Sequence, residues 1–433
     1  MRRDVLKRAL GLWQITVMGI GVILGAGIYV IIGAAAGLSG NGLWLSVLLA
    51  GIVAALTGLS YAELSSRFPE AGAEYVYIER SFGDTLAGLT GWLIIVGSII
   101  AAATVAVGFA KYFSALFQTT IPVIAVATLL VCGVILIAGI KETAFITILF
   151  TLIEASGLLI IIFIGVPYLN TIDYLELARG LNGVIEAGVL IFFSYIGFEN
   201  IARLAEETKE PEKNMPRAIL LAISMTTVIY VLVVIAALSV VSWQELAQAE
   251  APLALIAQRV YGDRLALVLS VIALFSTFNT VLVTLLSSSR LVYGIAAYRA
   301  LPGIFLSTSE KLQTPWIAII AVVGVSIPFV FLGDLATIAN LANFTIFIIF
   351  IMVNASVIYF RYRQPVETGF KTPLTIGRFP VLPFLGLLTA LFMLIYLPTE
   401  VLSLGFVLVI LGVLVHLALE YHVNEDAAFG RSR

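Results

Sequence analysis

Two apolar segments of the chain are interrupted by glycine where a helix would otherwise continue. The first contains Gly25, Ala26 and Gly27, and the second contains Ser194 and Gly197. An interrupted helix leaves carbonyl groups unpaired where one half ends and N–H groups unpaired where the other half begins. Such N–H groups bind carboxylates, and such carbonyl groups bind ammonium groups or cations. The pair of interruptions therefore predicts a binding site for a small molecule that carries both charges.

The polarity of each interruption predicts which group binds where. After Gly25, the second half of the first segment begins with the N–H groups of Ala26 and Gly27, which suit a carboxylate. The carbonyl groups at the end of the preceding half, up to Ile23, suit an ammonium group. The second segment offers carbonyl groups of the same kind from Phe193, Ser194 and Ile196.

Glycine in an apolar segment also has a packing interpretation. Small residues four positions apart bring membrane helices close together, and Gly21 and Gly25 have that spacing. Packing alone does not explain two interruptions at corresponding places along the chain. Paired interruptions of this kind favour a binding site.

Glu154 is an ionisable residue near the middle of an apolar segment at 144–168. Ionisable groups within membrane spans are costly and usually functional. Glu154 is interpreted in three ways: it carries a proton by cycling between neutral and ionised forms, it stays protonated and bonds a neighbouring helix, or it binds a cation. Sodium would need oxygen ligands. One apolar segment supplies hydroxyl groups of that kind, from Ser276, Thr277 and Thr280. Ser98 is a further candidate for a cavity wall, with Asn340 and Asn343 as weaker ones.

The composition predicts the elements that must position these groups. Of the 433 residues, 61% are hydrophobic and 12% are charged, and the mean hydropathy is +1.09. Soluble proteins have about twice that charged fraction, so we predict an all-α polytopic membrane protein. With two histidines and one cysteine, Cys132, the chain offers no metal cluster or catalytic constellation within the membrane. We predict no metal, no cofactor, no nucleic-acid partner and no enzymatic activity.

Hydropathy predicts twelve membrane spans of about 20 residues each. They lie near 11–37, 41–65, 84–116, 121–139, 144–168, 183–204, 217–242, 263–296, 315–333, 336–360, 378–396 and 399–421. Lys and Arg concentrate on the cytoplasmic side of membrane proteins. Cytoplasmic termini place 20 of the 24 Lys and Arg residues on that side, all except Lys111, Arg179, Arg259 and Arg264. The long outer loop, 243–262, is expected to form one or two short amphipathic helices. The whole chain, 1–433, is predicted to be a single membrane domain.

Several motifs resemble those of the amino acid–polyamine–organocation superfamily. GVILGAGIY (21–29) resembles its first-helix signature, and YAELSSRFPEAGAEYVY (61–77) is similar to the loop between its second and third helices. Its sixth helix and following loop resemble FSYIGFE (193–199), EETKEP (206–211) and NMPRA (214–218). SRLVY (289–293) resembles the end of its eighth helix.

The resemblance implies a leucine-transporter-like fold in which helices 1 and 6 are broken. Two inverted five-helix repeats would cover about 11–168 and 183–360, and two additional helices about 378–421. It also implies secondary transport of amino acids or related amines by alternating access. Carried over to this sequence, Ala26 and Gly27 would bind the substrate carboxylate, and the Phe193 ring would act as an outer lid. The ammonium group would bind the carbonyl groups of Ile23, Phe193 and Ile196.

Together these observations predict a transporter of amino acids in the cell membrane. Proton-coupled symport of neutral amino acids is expected, with Glu154 as the coupling residue and Glu199 at the head of the inner half of the second segment. The alternatives are exchange that includes cationic substrates, sodium-coupled symport, or a channel or sensor on the same scaffold. Some proton-coupled relatives place a lysine at the position of Glu154, and a carboxylate of opposite charge cannot act in the same way. The oligomeric state stays open.

Overall fold

The computed structural model of the chain describes residues 10–70, 72–139, 144–297, 301–308, 314–364 and 369–428. Helices account for nearly all of this structure. The first nine are α1 (Leu12–Leu24), α2 (Ala26–Ser39), α3 (Leu43–Arg67), α4 (Ala73–Phe82), α5 (Asp84–Phe117), α6 (Ile121–Ala138), α7 (Ala144–Gly165), α8 (Gly180–Ile191) and α9 (Asn200–Arg203). The other eight are α10 (Pro211–Val240), α11 (Trp243–Gln248), α12 (Pro252–Tyr261), α13 (Asp263–Ala297), α14 (Trp316–Phe329), α15 (Leu335–Arg363), α16 (Val381–Ile395) and α17 (Thr399–Ala428). Strands β1 (Thr375–Ile376) and β2 (Phe379–Pro380) form a small antiparallel hairpin.

The helices confirm an all-α polytopic membrane protein. Within the described ranges, nine segments are long and apolar enough to cross a membrane, and the bent pair α1 and α2 makes a tenth. The predicted spans near 315–333 and 378–396 correspond to the shorter helices α14 and α16, of 14 and 15 residues. Both chain ends, whose side of the membrane was predicted, lie outside the described residues.

The two interrupted segments lie at the centre of the helix assembly. α1 packs against α7 and α10, whereas α2 packs against α8 and α11. α5 packs against both α13 and α15, and all three contact α2. Ala26, Ile28, Phe192 and Tyr195 have no exposed surface, as expected for segments enclosed by other helices. In contrast, α17 exposes large apolar side chains such as Phe406 and Ile410, as a lipid-facing helix does.

The predicted short helices in the outer loop are α11 and α12. Ser242 begins α11 and its hydroxyl accepts a hydrogen bond from the N–H of Glu245, a favourable N-terminal cap. Gly33 of α2 allows a close approach here, because a Cβ atom at this position would lie 2.7 Å from the Leu246 carbonyl oxygen. The two helices therefore cover α2 at one end of the molecule. The amphipathic helix α4 lies at the opposite end, against α5 and α15, and we call this the α4 end.

Candidate functional site: a cavity between two interrupted helices

The first interruption is a single residue, Gly25, between α1 and α2. Its φ and ψ of −38° and −164° break the helix, and the two halves meet at an angle of 42°. The N–H of Ala26, freed by this break, donates to Thr280 Oγ1 of α13 at 3.2 Å. One of the two N–H groups predicted to bind a carboxylate therefore has a hydroxyl partner on a neighbouring helix.

The second interruption extends over several residues. α8 ends at Ile191, a 3₁₀ turn covers Phe192–Tyr195, and α9 begins at Asn200. Between them Ile196 is extended and Gly197 has a φ of +124°. That conformation strongly favours glycine because L side chains rarely adopt it.

The two interruptions contact each other through their glycines. A Cβ atom on Gly27 would lie 2.6 Å from Ser194 Cα, and one on Gly197 would lie 2.7 Å from Val22 Cγ1. Both distances are shorter than real Cβ contacts, so Gly27 permits a close approach to the Ser194 backbone and Gly197 a close approach to the Val22 side chain. Close packing therefore applies to Gly27 and Gly197, and their part in binding stays a prediction.

Tyr230 of α10 joins the two interruptions. Its hydroxyl lies 2.6 Å from the carbonyl oxygen of Ile23 and 3.0 Å from that of Ser194, so its single proton is shared between these two acceptors. Sequence analysis did not identify Tyr230, because no motif distinguishes a tyrosine that bonds a functional site from one that only packs in an apolar helix.

A cavity of about 280 Å³ lies between the interruptions. It brings together most of the predicted site residues: Ile23, Gly25, Ala26, Gly27, Ser98, Glu154, Phe193, Ser194, Ile196, Gly197, Glu199 and Thr280. Their roles in binding and coupling remain predictions. The lining also includes Glu74 and Arg203 at the α4 end, whereas α11 and α12 contribute no residue to it. Val22 on the cavity wall is 41% exposed.

The structure does not bring Ser276 and Thr277 to this cavity. The Thr277 hydroxyl donates to the carbonyl oxygen of Ala273 at 2.7 Å, within its own helix. The Ser276 hydroxyl is buried without a hydrogen-bond partner in the described part of the chain. Asn343 does not line the cavity either. Its side-chain amide donates to the carbonyl oxygen of Val189, near the end of α8, at 2.7 Å.

The rest of the cavity wall is mainly apolar, with a few hydroxyl groups. Leu93, Ile94, Ala101, Val105, Ile346 and Ile349 are the main apolar members of the wall. The hydroxyl groups of Ser98, Thr284 and Ser287 also line it. These three form no hydrogen bond within the residues that the structure describes. They are free to bond a ligand or water.

Comparison with known proteins decides the family. The sequence profile of the amino acid permease family matches residues 10–418. The chain belongs to the amino acid permease family. This confirms the superfamily inferred from the motifs, and with it an amino acid transporter of the membrane.

The permease is similar to proteins whose names indicate different substrates. A branched-chain amino acid permease of Bacillus subtilis is 27% identical over 421 residues, covering 90% of this chain and 88% of its own. The methylthioribose transporter of the same species is 30% identical over 407 residues, covering 88% and 86%. The vacuolar cationic amino acid transporter 4 of Arabidopsis thaliana is 27% identical and covers 83% of this chain and 64% of its own.

Glu154 of the permease is almost fully buried, with 2% of its surface exposed. The side-chain amide of Asn279 donates to its Oε1 at 3.5 Å. The Tyr29 hydroxyl donates to the backbone carbonyl oxygen of Glu154 at 2.5 Å, and the Tyr112 hydroxyl donates to that of Tyr29 at 3.1 Å. Tyr112 also accepts from the N–H of Leu253 in α12. These hydrogen bonds connect the backbone of Glu154 with α12.

At the α4 end, Glu199 caps the second interruption of the permease. Its Oε2 accepts from the N–H of Gly197 at 2.8 Å, and its Oε1 from the Asn200 amide at 3.4 Å. Arg203 donates to Asn200 Oδ1 at 2.8 Å and lies 3.4 Å from Glu74 Oε1. The sequence predicted Glu199 at the head of this half-helix, but it gave no sign of Glu74 and Arg203.

Proposed function

We propose that this permease carries neutral amino acids across the cell membrane by alternating access, coupled to protons. The observation that carries the proposal is that both interruptions face one cavity with opposite polarity. The N–H groups of Gly27 and of Ala26, which exchanges its Thr280 partner for the ligand, serve the carboxylate. The carbonyl groups of Ile23, Phe193 and Ile196 serve the ammonium group. The protein acts as a carrier and performs no chemical conversion of its substrate.

The proposed topology follows the superfamily. α14 and α16 cross the membrane together with the ten longer spans, which gives twelve. The spans form one domain over 1–433, with inverted repeats over about 11–168 and 183–360 and two additional helices over about 378–421. Both termini are cytoplasmic, so the α4 end faces the cytoplasm.

A neutral substrate is supported by the state of the acidic groups on the cavity wall. Glu199 already accepts hydrogen bonds from Gly197 and Asn200, and Glu154 accepts one from Asn279. The third acid on the wall, Glu74, is paired with Arg203. A cationic side chain needs a carboxylate that is free to pair with it, since a buried unpaired charge is costly. The apolar wall around Ile94 and Ile349 suits an aliphatic side chain instead.

Proton coupling through Glu154 is supported over sodium coupling by the hydroxyl groups of α13. Sodium requires several oxygen ligands around one point. Of the three predicted sodium ligands only Thr280 lines the cavity, and its hydroxyl accepts from the N–H of Ala26. Thr277 bonds its own helix. Glu154, in contrast, lies on the wall and is a group that binds and releases protons. Exchange without a driving ion, including exchange of cationic substrates, is the alternative.

A second candidate substrate is an uncharged sugar thioether. The relative of 30% identity is named a methylthioribose transporter. The free hydroxyl groups of Ser98, Thr284 and Ser287 provide hydrogen bonds of the kind that a ribose ring uses.

Uptake into proteoliposomes tests the proposal. The purified permease is reconstituted, and uptake of labelled leucine, arginine and methylthioribose is measured with a proton gradient, with a sodium gradient and with neither. The proposal expects saturable leucine uptake driven by the proton gradient. Uptake that is specific for arginine or methylthioribose would contradict the neutral amino acid substrate. Uptake that follows the sodium gradient would contradict proton coupling. Absence of saturable uptake or exchange for every amino acid tested would contradict amino acid transport.

A further inference from the structure

Three ionisable side chains meet at the α4 end of the cavity. Glu74 of α4 and Glu199 of the second interruption are 1% and 5% exposed, and Arg203 of α9 lies between them, joined to Glu199 through Asn200. Arg203 Nη2 and Glu74 Oε1 are 3.4 Å apart, and the Tyr61 hydroxyl donates to the same Oε1 at 3.2 Å. All three ionisable side chains line the same cavity as the interruptions.

The charges of this cluster do not balance. Two carboxylates face a single guanidinium group, so one negative charge is left over when both acids are ionised. A buried charge without a partner is strongly unfavourable. Oε2 of Glu74 forms no hydrogen bond within the described residues, so that oxygen is available to a proton.

Other charged groups at the α4 end are already engaged. Arg361 binds Glu63 through two hydrogen bonds of 2.7 and 2.8 Å, and the N–H of Thr372 donates to the same carboxylate. Arg80 pairs with Glu70 at 2.5 Å. None of these ion pairs supplies a spare positive charge to the cluster.

Two further groups near the cluster are also accounted for. The Arg67 guanidinium lies over the rings of Phe68 and Phe360 and donates to the carbonyl oxygen of Gln364. The buried Tyr77 hydroxyl carries no charge and forms no hydrogen bond in the described part of the chain.

We propose that the cluster of Glu74, Glu199 and Arg203 binds one exchangeable proton during transport, at a site separate from Glu154. The proposal rests on the proposed proton-coupled transport and deepens it. A zwitterionic substrate has no net charge and cannot neutralise the cluster, whereas one proton can. The cluster lines the same cavity as Glu154 and lies at the α4 end, which the proposed topology places on the cytoplasmic side, so a transported proton would leave through it toward the cytoplasm.

Counterflow in proteoliposomes at equal internal and external pH tests the proposal. The assay is run from mildly acidic to mildly alkaline pH in the Glu154→Gln background, which removes the other carboxyl group of the cavity. We expect a remaining pH dependence that approaches a tenfold change in rate per pH unit, the limit for about one proton. Adding Glu74→Gln or Glu199→Gln should flatten this profile. Glu79→Gln, an exposed change on the same helix α4, should leave it unchanged.

A further variant keeps the test sharp if one of the Gln variants fails to fold. Arg203→Gln removes the only positive charge of the cluster, so its proton is held more tightly and the profile should move to higher pH. The proposal would be overturned if the pH profile of counterflow were unchanged by both Glu74→Gln and Glu199→Gln. It would also be overturned if the rate followed sodium instead of pH. Either of these outcomes would contradict the role of the cluster without contradicting substrate transport. Absence of counterflow in the wild-type permease would instead contradict the proposed function itself.

Discussion

The hydroxyl of Tyr230 lies 2.6 Å from the carbonyl oxygen of Ile23, across 207 residues of sequence. The same hydroxyl lies 3.0 Å from the Ser194 carbonyl oxygen, so one side chain holds the two interruptions at a fixed distance. The Ile23 carbonyl group is also proposed to receive the substrate ammonium group. A carbonyl oxygen accepts two hydrogen bonds, so Tyr230 leaves room for the ligand.

Tyr230→Phe tests this bridge. The change removes the donor for two buried carbonyl groups, and an unsatisfied buried group costs about 1–3 kcal/mol. We expect weaker substrate binding by roughly tenfold, the equivalent of about 1.4 kcal/mol, measured as competition against a labelled amino acid. Tyr261→Phe, on a side chain that is 64% exposed, is the matched control. Wild-type affinity in Tyr230→Phe would show that the bridge does not shape the site.

Gly27→Val should abolish transport by separating the interruptions. Its Cβ would lie 2.6 Å from the Cα atom of Ser194. Because this is a backbone atom, a side-chain movement cannot relieve the clash. We expect a lower melting temperature together with loss of binding. Gly294→Ala serves as the control because the space around Gly294 is open. Normal binding by Gly27→Val would mean that the close approach is not required.

Glu154→Gln should uncouple transport from protons. The amide keeps the size of the side chain and its contact with Asn279 but cannot bind and release a proton. We expect exchange of substrate to persist while a pH gradient no longer drives net uptake. The rate of exchange still depends on pH through the cluster of Glu74, Glu199 and Arg203. Glu250 is an exposed acid between α11 and α12, and uptake by Glu250→Gln should respond to the pH gradient as in the wild type. Full gradient-driven uptake by Glu154→Gln would remove this residue from the coupling mechanism.

Glu63→Gln should destabilise the α4 end. The pair of Glu63 and Arg361 is largely buried, with side chains 10% and 14% exposed. Removing one partner of a buried ion pair costs about 3–5 kcal/mol. We expect a clear fall in melting temperature. Glu70→Gln breaks a more exposed pair with Arg80 and should have little effect, since exposed pairs contribute about 0–1 kcal/mol. Equal melting temperatures for the two variants would contradict this assignment.

Hydropathy and glycine placement predicted the membrane class and the position of both interruptions. The halves of the first segment separate at Gly25, and Gly197 has the positive φ that its place in the second segment requires. These features are local, so the sequence carries them directly. The shorter lengths of α14 and α16 were not predicted, because helix ends depend on contacts with neighbouring elements. α14 ends at Phe329, directly after Pro328.

The contacts between distant residues could not be predicted in the same way. Ala26 bonds Thr280 across 254 residues, and the choice of Thr280 over Thr277 depends on how α13 is rotated in the assembly. Likewise, Glu74 belongs to a loop motif in the sequence, and only the packing of α4 brings it to Arg203.

Competition binding with modified amino acids tests the central claim most directly. Leucine, leucine amide and N-acetyl-leucine compete with labelled leucine for the purified permease. If the N–H groups at Ala26 and Gly27 bind the carboxylate and the opposing carbonyl groups bind the ammonium group, only leucine competes well, and each modification weakens binding at least tenfold, about 1.4 kcal/mol. Competition by the amide and the N-acetyl compound as strong as that by leucine would contradict the account.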